Sequence, residues 1–344
     1  MVEKPAASAS GVRESRPLPR AGRSARNAVL DALPPAARTR LRLLRKALVG
    51  PLPAAKSPAP DKAAPPPAPP RPRQVTLRVP PDPGSAPRAA LREVRMTAPL
   101  AMYVPRVLQR NGFAGYEPSS LPHFLAALQT APPGVVLDVG ANVGPYSLLA
   151  RACSDRAVVA FEPTPDLAQV ARVTGERNGL DYLVEERALG DTNGTATLYL
   201  SSRTDSSNSL NPGFRPSSES IDVPLETLDS WVARTGQVPG IIKVDTETTE
   251  PAVLRGADRT VSEHRPWVFC EVLYGYVEEE LTAVLAGWGY TWYHLTGPGP
   301  LEPAAQIVGD PTHEHFMFLF VPEPLGEEHW RSAEAWKQAL ELTR

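Results

Sequence analysis

Residues 135–163 read VVLDVGANVGPYSLLARACSDRAVVAFEP, and this stretch constrains the fold more than any other. Val135-Val136-Leu137 is a short, mostly β-branched apolar run, as expected of a strand buried on both faces. Asp138 closes it, and Gly140, Asn142 and Gly144 follow in a turn that lets backbone approach a ligand closely. Pro145 suits the first turn of a helix, where its missing N–H costs nothing, and Ser147-Leu148-Leu149-Ala150 continues that helix. A second apolar run, Ala157 to Phe161, ends in the acid Glu162. The order strand, glycine turn, helix, strand, acid is that of a nucleotide-binding half unit.

The spacing does not suit a dinucleotide, whose fingerprint is G-x-G-x-x-G. Asn142 stands where the second glycine would be and Pro145 where the third would be. Two strand-end acids around a short turn suit an adenosyl group without a pyrophosphate. Glu162 offers two acceptor oxygens for the two ribose hydroxyls. Asp138 and the turn's N–H groups are then expected to hold the amino-acid end of S-adenosylmethionine (SAM).

Further along, RALGD, PLETLDSW, IIKVDTETTEPAVLRGA and PWVFCEV follow LDVGANVGPYS and AFEPTPD. In this order and spacing the blocks resemble the FkbM family of SAM-dependent methyltransferases, over about residues 112–322. The resemblance implies an α/β, Rossmann-like class I methyltransferase fold with a mostly parallel seven-stranded sheet and helices on both faces. It implies SAM as cofactor and places Ala188 and Leu189 beside the adenine. It also implies an acceptor that is a sugar, glycan or natural product.

Composition divides the chain. Of its 40 prolines, 15 fall within residues 1–75, where 15 Lys+Arg face 4 Asp+Glu, a net charge of +11. The other 269 residues carry 21 and 34, a net of −13, so the overall −2 hides a basic arm on an acidic body. Residues 1–74 are expected to be a disordered Pro/Ala/Arg-rich arm. Within it, 34–49 forms a short basic amphipathic helix candidate for a membrane surface or a protein partner, and 51–73 is a proline-rich linker. Residues 75–111 read as a lead-in, with the folded body starting near Met96, and 323–344 as a C-terminal helix and tail. Cys153 and Cys270 read as small core residues, which fits a reducing cytoplasm. No apolar run approaches the ~20 residues of a membrane span, and the polar N-terminus lacks a secretory core. The acidic body argues against a nucleic-acid partner.

Several local readings matter to the site. Ser119 or Ser120 is expected to cap the helix after Gly115-Tyr116-Glu117-Pro118, a segment expected to cover the cofactor pocket. Asp191-Thr192-Asn193-Gly194 reads as a hairpin turn. Thr195–Leu200 and Ile221–Pro224 read as paired strands, with a long Ser-rich loop between them that suits substrate contacts. Strands 241–245 and 266–271 end in Asp245 and Glu271, so four acids, counting Asp138 and Glu162, gather at strand carboxyl ends.

Methyl transfer to a hydroxyl needs a base or a metal that forms the alkoxide. Asp245 and Glu247 are candidates for either role, and Glu271 is a third catalytic candidate; the residues alone do not argue for a bound metal. The family block usually reads D-V-E-G-x-E, but here Thr248 replaces its glycine. The family often has a histidine shortly after the acid of the fifth strand. Here Val272-Leu273-Tyr274 follow Glu271, leaving His294, or the pair His313 and His315, as substitutes. The functional expectation is a SAM-dependent O-methyltransferase acting on a hydroxyl. The alternative is a non-catalytic SAM-binding or scaffold protein that acts through its basic arm.

Overall fold

Seven short runs, mostly of aliphatic and aromatic residues, line up as one sheet whose central strands are buried on both faces. The computed structural model describes residues 72–83 and 91–344, within the unit Ala68–Arg344. Residues 1–71 of the arm, with the amphipathic stretch 34–49, lie outside the described residues, and its expected last three, 72–74, instead open β1.

The chain enters through an antiparallel pair, β1 (Pro72–Arg78) and β2 (Glu93–Pro99). The ordered body therefore begins well before Met96. The alternation in VTLRV has a purpose: Val75, Leu77, Val94 and Met96 are all buried in the main core. Helix α1 (Tyr103–Asn111) ends at Gly112, and α2 (Leu121–Thr130) follows. Ser120 precedes α2 but makes no side-chain cap; its hydroxyl instead turns to Glu117 and Tyr146.

Then come β3 (Val135–Val139), α3 (Pro145–Cys153), β4 (Val158–Phe161), α4 (Pro165–Arg177) and β5 (Leu183–Glu185). A small three-stranded sheet interrupts the alternation, built from β6 (Ala188–Leu189), β7 (Gly194–Ser201) and β8 (Ser217–Glu226). β7 and β8 pair antiparallel, as their alternation suggests. The DTNG segment is a turn but not a hairpin, because β8 lies between β6 and β7 in the order β6-β8-β7. The main sheet resumes through α5 (Leu228–Thr235), β9 (Pro239–Val244), α6 (Glu250–Arg255), α7 (Asp258–His264) and β10 (Trp267–Glu271). It closes with α8 (Glu278–Leu285), β11 (Thr291–His294) and β12 (Met317–Val321). Helix α9 (Glu327–Glu341) packs on α2 with Trp336 buried, so the C-terminal segment belongs to the body.

Main-sheet order is β11-β12-β10-β9-β3-β4-β5. Only β12 runs against the others. The chain leaves β3 toward β4 and β5, then returns to β9 on the other side of β3. The topological switch point therefore lies between β3 and β9, where ligands bind at strand carboxyl ends. Period-2 alternation sorts side chains to two core layers. Val136, Ile241 and Phe269 face the layer of α2, α3 and α9, while Leu137, Ile242 and Val268 face that of α5 to α8.

Candidate functional site

Strand register brings the site together. Asp138 pairs with Lys243 across β3 and β9, and Lys243 with Phe269 across β9 and β10. Two residues further along the same face come Gly140, Asp245 and Glu271. They open onto a cavity of ≈ 1010 Å³. Of the ten residues singled out in the sequence, eight line it: Gly140, Asn142, Glu162, Ala188, Leu189, Asp245, Glu247 and Glu271.

The other two do not. Asp138 is fully buried under the turn, and its Oδ2 accepts from the Ser147 backbone N–H at 3.0 Å and hydroxyl at 2.7 Å. Its other oxygen lies 3.5 Å from Lys243 Nζ. Asp138 therefore fastens α3 and Lys243 to β3 and is not on the cavity wall, which corrects its expected role on the cofactor's amino-acid end. Gly144 faces the opposite way. At φ +77° it starts α3, and a Cβ there would meet Ala171 of α4 at 3.2 Å. Its glycine serves helix packing, not ligand approach.

On the β3–β4 side the wall is made largely of backbone. At Gly140 (φ +74°) an added Cβ would lie 1.8 Å from the Asp245 carbonyl oxygen, so only glycine lets this turn lie against the loop after β9. Asn142 (φ +54°) turns back so that its Oδ1 accepts from the Val143 N–H. Glu162 accepts the Asn142 N–H on one oxygen and the Thr164 N–H on the other, both at 2.8 Å. Burial raises the pKa of Glu162, and these two backbone donors counter it. Ala188 and Leu189, from the two-residue strand β6, supply an apolar wall.

On the β9–β10 side the wall is acidic. One carboxylate oxygen each of Asp245, Glu247 and Glu271 lie within 4.8 Å of one another. Burial raises Glu271 well above the usual carboxylate range, and the charges of Asp245, Glu247 and Glu250 add to it. Glu247 is raised by burial and then by Asp245 and Glu250, with Arg215 opposing. Glu250 is a structural acid: one of its oxygens accepts from Thr246 N at 2.7 Å, Thr246 Oγ1 at 3.1 Å and Thr248 N at 3.3 Å.

Three participants were not singled out individually in the sequence. Lys243 is 3% exposed, with Nζ 3.1 Å from Asp245 and donating to the Gly140 carbonyl at 3.3 Å. Burial works against its charge, but Asp245, Asp138 and Glu117 outweigh it and hold its pKa above the ordinary lysine value. The signal was available: a lysine inside the buried run IIKVD, two residues before Asp245. Glu117 accepts from Tyr146 at 2.5 Å and Ser120 at 3.1 Å, and its pKa is raised chiefly by burial. The sequence placed Glu117 on the cavity only as part of the covering segment 115–118, and it did not announce Tyr146 as its partner. Segment 115–120 does line the cavity, as do Thr204 to Leu210 and Arg215 of the Ser-rich loop. His313 lines its exposed rim; His294 and His315 do not line it.

Residues 138–291 match the family model described as the methyltransferase FkbM domain, inside the 112–322 span that carries the resemblance. No curated protein matches the chain. Among solved structures it is similar to the methyltransferase FkbM from Methylobacillus flagellatus KT, at 15% identity and TM-score 0.38 over 57% of this chain and 47% of that one. The chain thus spans about half the length of that protein. It is also similar to a magnesium protoporphyrin IX methyltransferase from Synechocystis PCC 6803 (10% identity, TM-score 0.36, covering 64% and 84%). A third similarity is to a tRNA (uracil-54, C5)-methyltransferase from Pyrococcus abyssi (12%, 0.34, covering 66% and 41%). These likenesses are weak, and the fold rests on the strand order itself. That order and the switch-point cavity define a Rossmann-like fold of the class I methyltransferase type. Within that fold, residues 138–291 are similar to the methyltransferase FkbM domain.

The residues present fit the cofactor. Glu162 is held by two backbone donors on the cavity wall, a carboxylate of the kind that a ribose diol requires. The Gly140 turn lies bare beside it, and Ala188 and Leu189 offer an apolar surface to a base.

Proposed function

We propose that this protein methylates a hydroxyl of a small acceptor, a sugar, glycan or natural product, using SAM. When bound, SAM supplies a sulfonium methyl group whose carbon–sulfur bond breaks, its electron pair leaving on sulfur, as the acceptor oxygen bonds to the methyl carbon. Glu162 orients the ribose, Gly140 and Asn142 give the close backbone wall, and Ala188 and Leu189 flank the adenine. Asp245, Glu247 and Glu271 receive the acceptor hydroxyl and take up its proton. A base must lie within hydrogen-bond reach of the proton it takes, and these three carboxyl groups stand together on the cavity wall. Lys243 holds Asp245 in place from behind. The acceptor body lies against the Ser-rich loop and the exposed rings of Tyr274 and Tyr276, which also line the cavity.

One observation carries this reading: three carboxylates on the wall of a single cavity, one or two β-strands from the Gly140 turn and two or three from Glu162. Two measurements test it on the full chain. S-adenosylhomocysteine (SAH) binding by calorimetry is expected for the wild type. Methyl transfer from labelled SAM to a panel of sugar and polyketide alcohols, against matched acceptors with the hydroxyl replaced by hydrogen, is expected only with the hydroxyl present. Transfer to carbon or nitrogen acceptors alone would overturn the oxygen assignment.

A further inference from the structure

The acid cluster has far more acceptors than donors. Asp245, Glu247 and Glu271 present six carboxylate oxygens. Among the described residues, one protein donor reaches them: Lys243 Nζ, 3.1 Å from Asp245 Oδ2. Glu271 Oε2 is buried without any hydrogen-bond partner, in a residue that is 9% exposed. An unpaired buried carboxylate oxygen is costly. Glu250, one turn away, shows what this chain does when an acid is structural: three donors converge on a single oxygen. Lys243 cannot supply the missing charge, because it is already shared between Asp138 and Asp245.

We infer that Asp245, Glu247 and Glu271 form a binding site for one hard divalent cation, Mg²⁺ or Mn²⁺ by their ligand chemistry, on the acceptor side of the cavity. Three carboxylate oxygens within 4.8 Å of one another match the span of one ion's ligand shell, which for such ions lies about 2.0–2.6 Å from the metal. An all-oxygen donor set selects hard cations over zinc or copper, which favour imidazole and thiolate. The cluster lines the cavity, so an ion can enter and keep positions open for water and an acceptor oxygen. Glu117 and Tyr146 lie just beyond as an outer hydrogen-bonded pair.

The ion's catalytic role, though not its binding, rests on the O-methylation reading above. A hydroxyl ligated to the ion loses its proton more readily. Each carboxylate contributes one oxygen to the ion and keeps the other, so the proton still has an acceptor in the same cluster.

The test uses the full chain, stripped with chelator and titrated with Mn²⁺ while free Mn²⁺ is followed by electron paramagnetic resonance. Competition by Mg²⁺, Ca²⁺ and Zn²⁺ identifies the class. One stoichiometric site is expected, with Mg²⁺ competing. Glu271→Gln and Glu247→Gln are each expected to weaken it at least about tenfold, the loss that even an outer partner's removal brings. SAH binding, unchanged in both variants, reports that they fold. A stripped chain that binds SAH but no Mn²⁺, or two folded variants that bind Mn²⁺ like the wild type, would overturn the site. The two proposals fail separately. Hydroxyl methylation that persists in chelator removes the cation's catalytic role alone, whereas stoichiometric Mn²⁺ binding with no transfer to any hydroxyl removes the O-methylation reading alone.

Discussion

The two sides of the cavity treat their carboxylates in opposite ways. On the β3–β4 side, Asp138 and Glu162 are fastened by backbone and hydroxyl donors from Ser147, Asn142 and Thr164. On the β9–β10 side, Asp245, Glu247 and Glu271 have Lys243 as their one donor among the described residues. The first arrangement fixes geometry in advance, so an invariant ligand such as a nucleoside meets groups that need not move. The second keeps charge and lone pairs uncommitted, which costs stability and leaves capacity for a proton, an ion or a hydroxyl. Preorganisation and availability are thus divided between two neighbouring halves of one sheet.

The sharpest way to break this contrast is to neutralise the uncommitted side. Asp245→Asn and Glu271→Gln are expected to lower the methyl-transfer rate by about 10²–10⁴-fold, the span of a lost acid–base group. SAH affinity should stay within about threefold, a difference of roughly 0.7 kcal/mol. A comparable loss of SAH affinity in either variant would mean that the two halves are not separate.

The hinge between the halves is Gly140. Gly140→Ala places a methyl group on the Asp245 carbonyl, 1.8 Å away, at φ +74°. Overpacking and left-handed strain together are expected to cost about 2–4 kcal/mol. Chemical denaturation should show this, together with loss of SAH binding, because the bare turn cannot stay against the β9 loop.

The fastened half was also the legible half. Its parts are local: a strand, a glycine turn and a second strand within 29 residues spell out DVGANVG and FEP. Even there, the sequence misplaced Asp138 and Gly144, because acid and glycine at a strand end look alike whether they serve a ligand or a helix. The open half depends on register between distant strands. Asp245 and Glu271 could be placed at strand ends, but their meeting with Glu117 joins residues more than 120 positions apart in the chain. Lys243 was hidden by the habit of reading IIKV as a purely apolar strand. The hairpin expected at Asp191-Gly194 failed for a similar reason: β8, from 23 or more residues away, occupies the position beside β6 that a local pairing would have taken.

A gentler change sharpens the fastened side. Glu162→Gln keeps the shape but puts an amide NH₂ against one of the two backbone donors, Asn142 N–H or Thr164 N–H. It also weakens acceptance from a ribose hydroxyl. The expected loss in SAH affinity is about 1.5–3 kcal/mol, roughly ten- to hundredfold, measured by calorimetry. Transfer at saturating SAM should fall much less than in the Asp245 and Glu271 variants.

The smallest predicted effect tests the departure at Thr248. Its φ is +82°, a left-handed conformation that glycine adopts freely and a β-branched residue does not, so the backbone keeps the shape of the family's usual glycine. The threonine gives something back: its hydroxyl accepts from Asn211 Nδ2 at 2.9 Å, and Ser209 Oγ donates to the neighbouring Glu247 carbonyl at 2.6 Å. Both bonds tie the Ser-rich loop to the acid loop. Thr248→Gly removes about 1–3 kcal/mol of strain but loses one hydrogen bond and adds unfolded-chain entropy, together about 1–2.5 kcal/mol. Its stability should therefore stay within about 1 kcal/mol of wild type. Thr248→Ala keeps most of the strain and loses the same bond, so it should be less stable than wild type by about 1 kcal/mol. Urea denaturation of the three proteins ranks them directly. An alanine variant at least as stable as the glycine variant would show that the left-handed backbone costs nothing here. In that case Thr248 would contribute through its loop anchor alone.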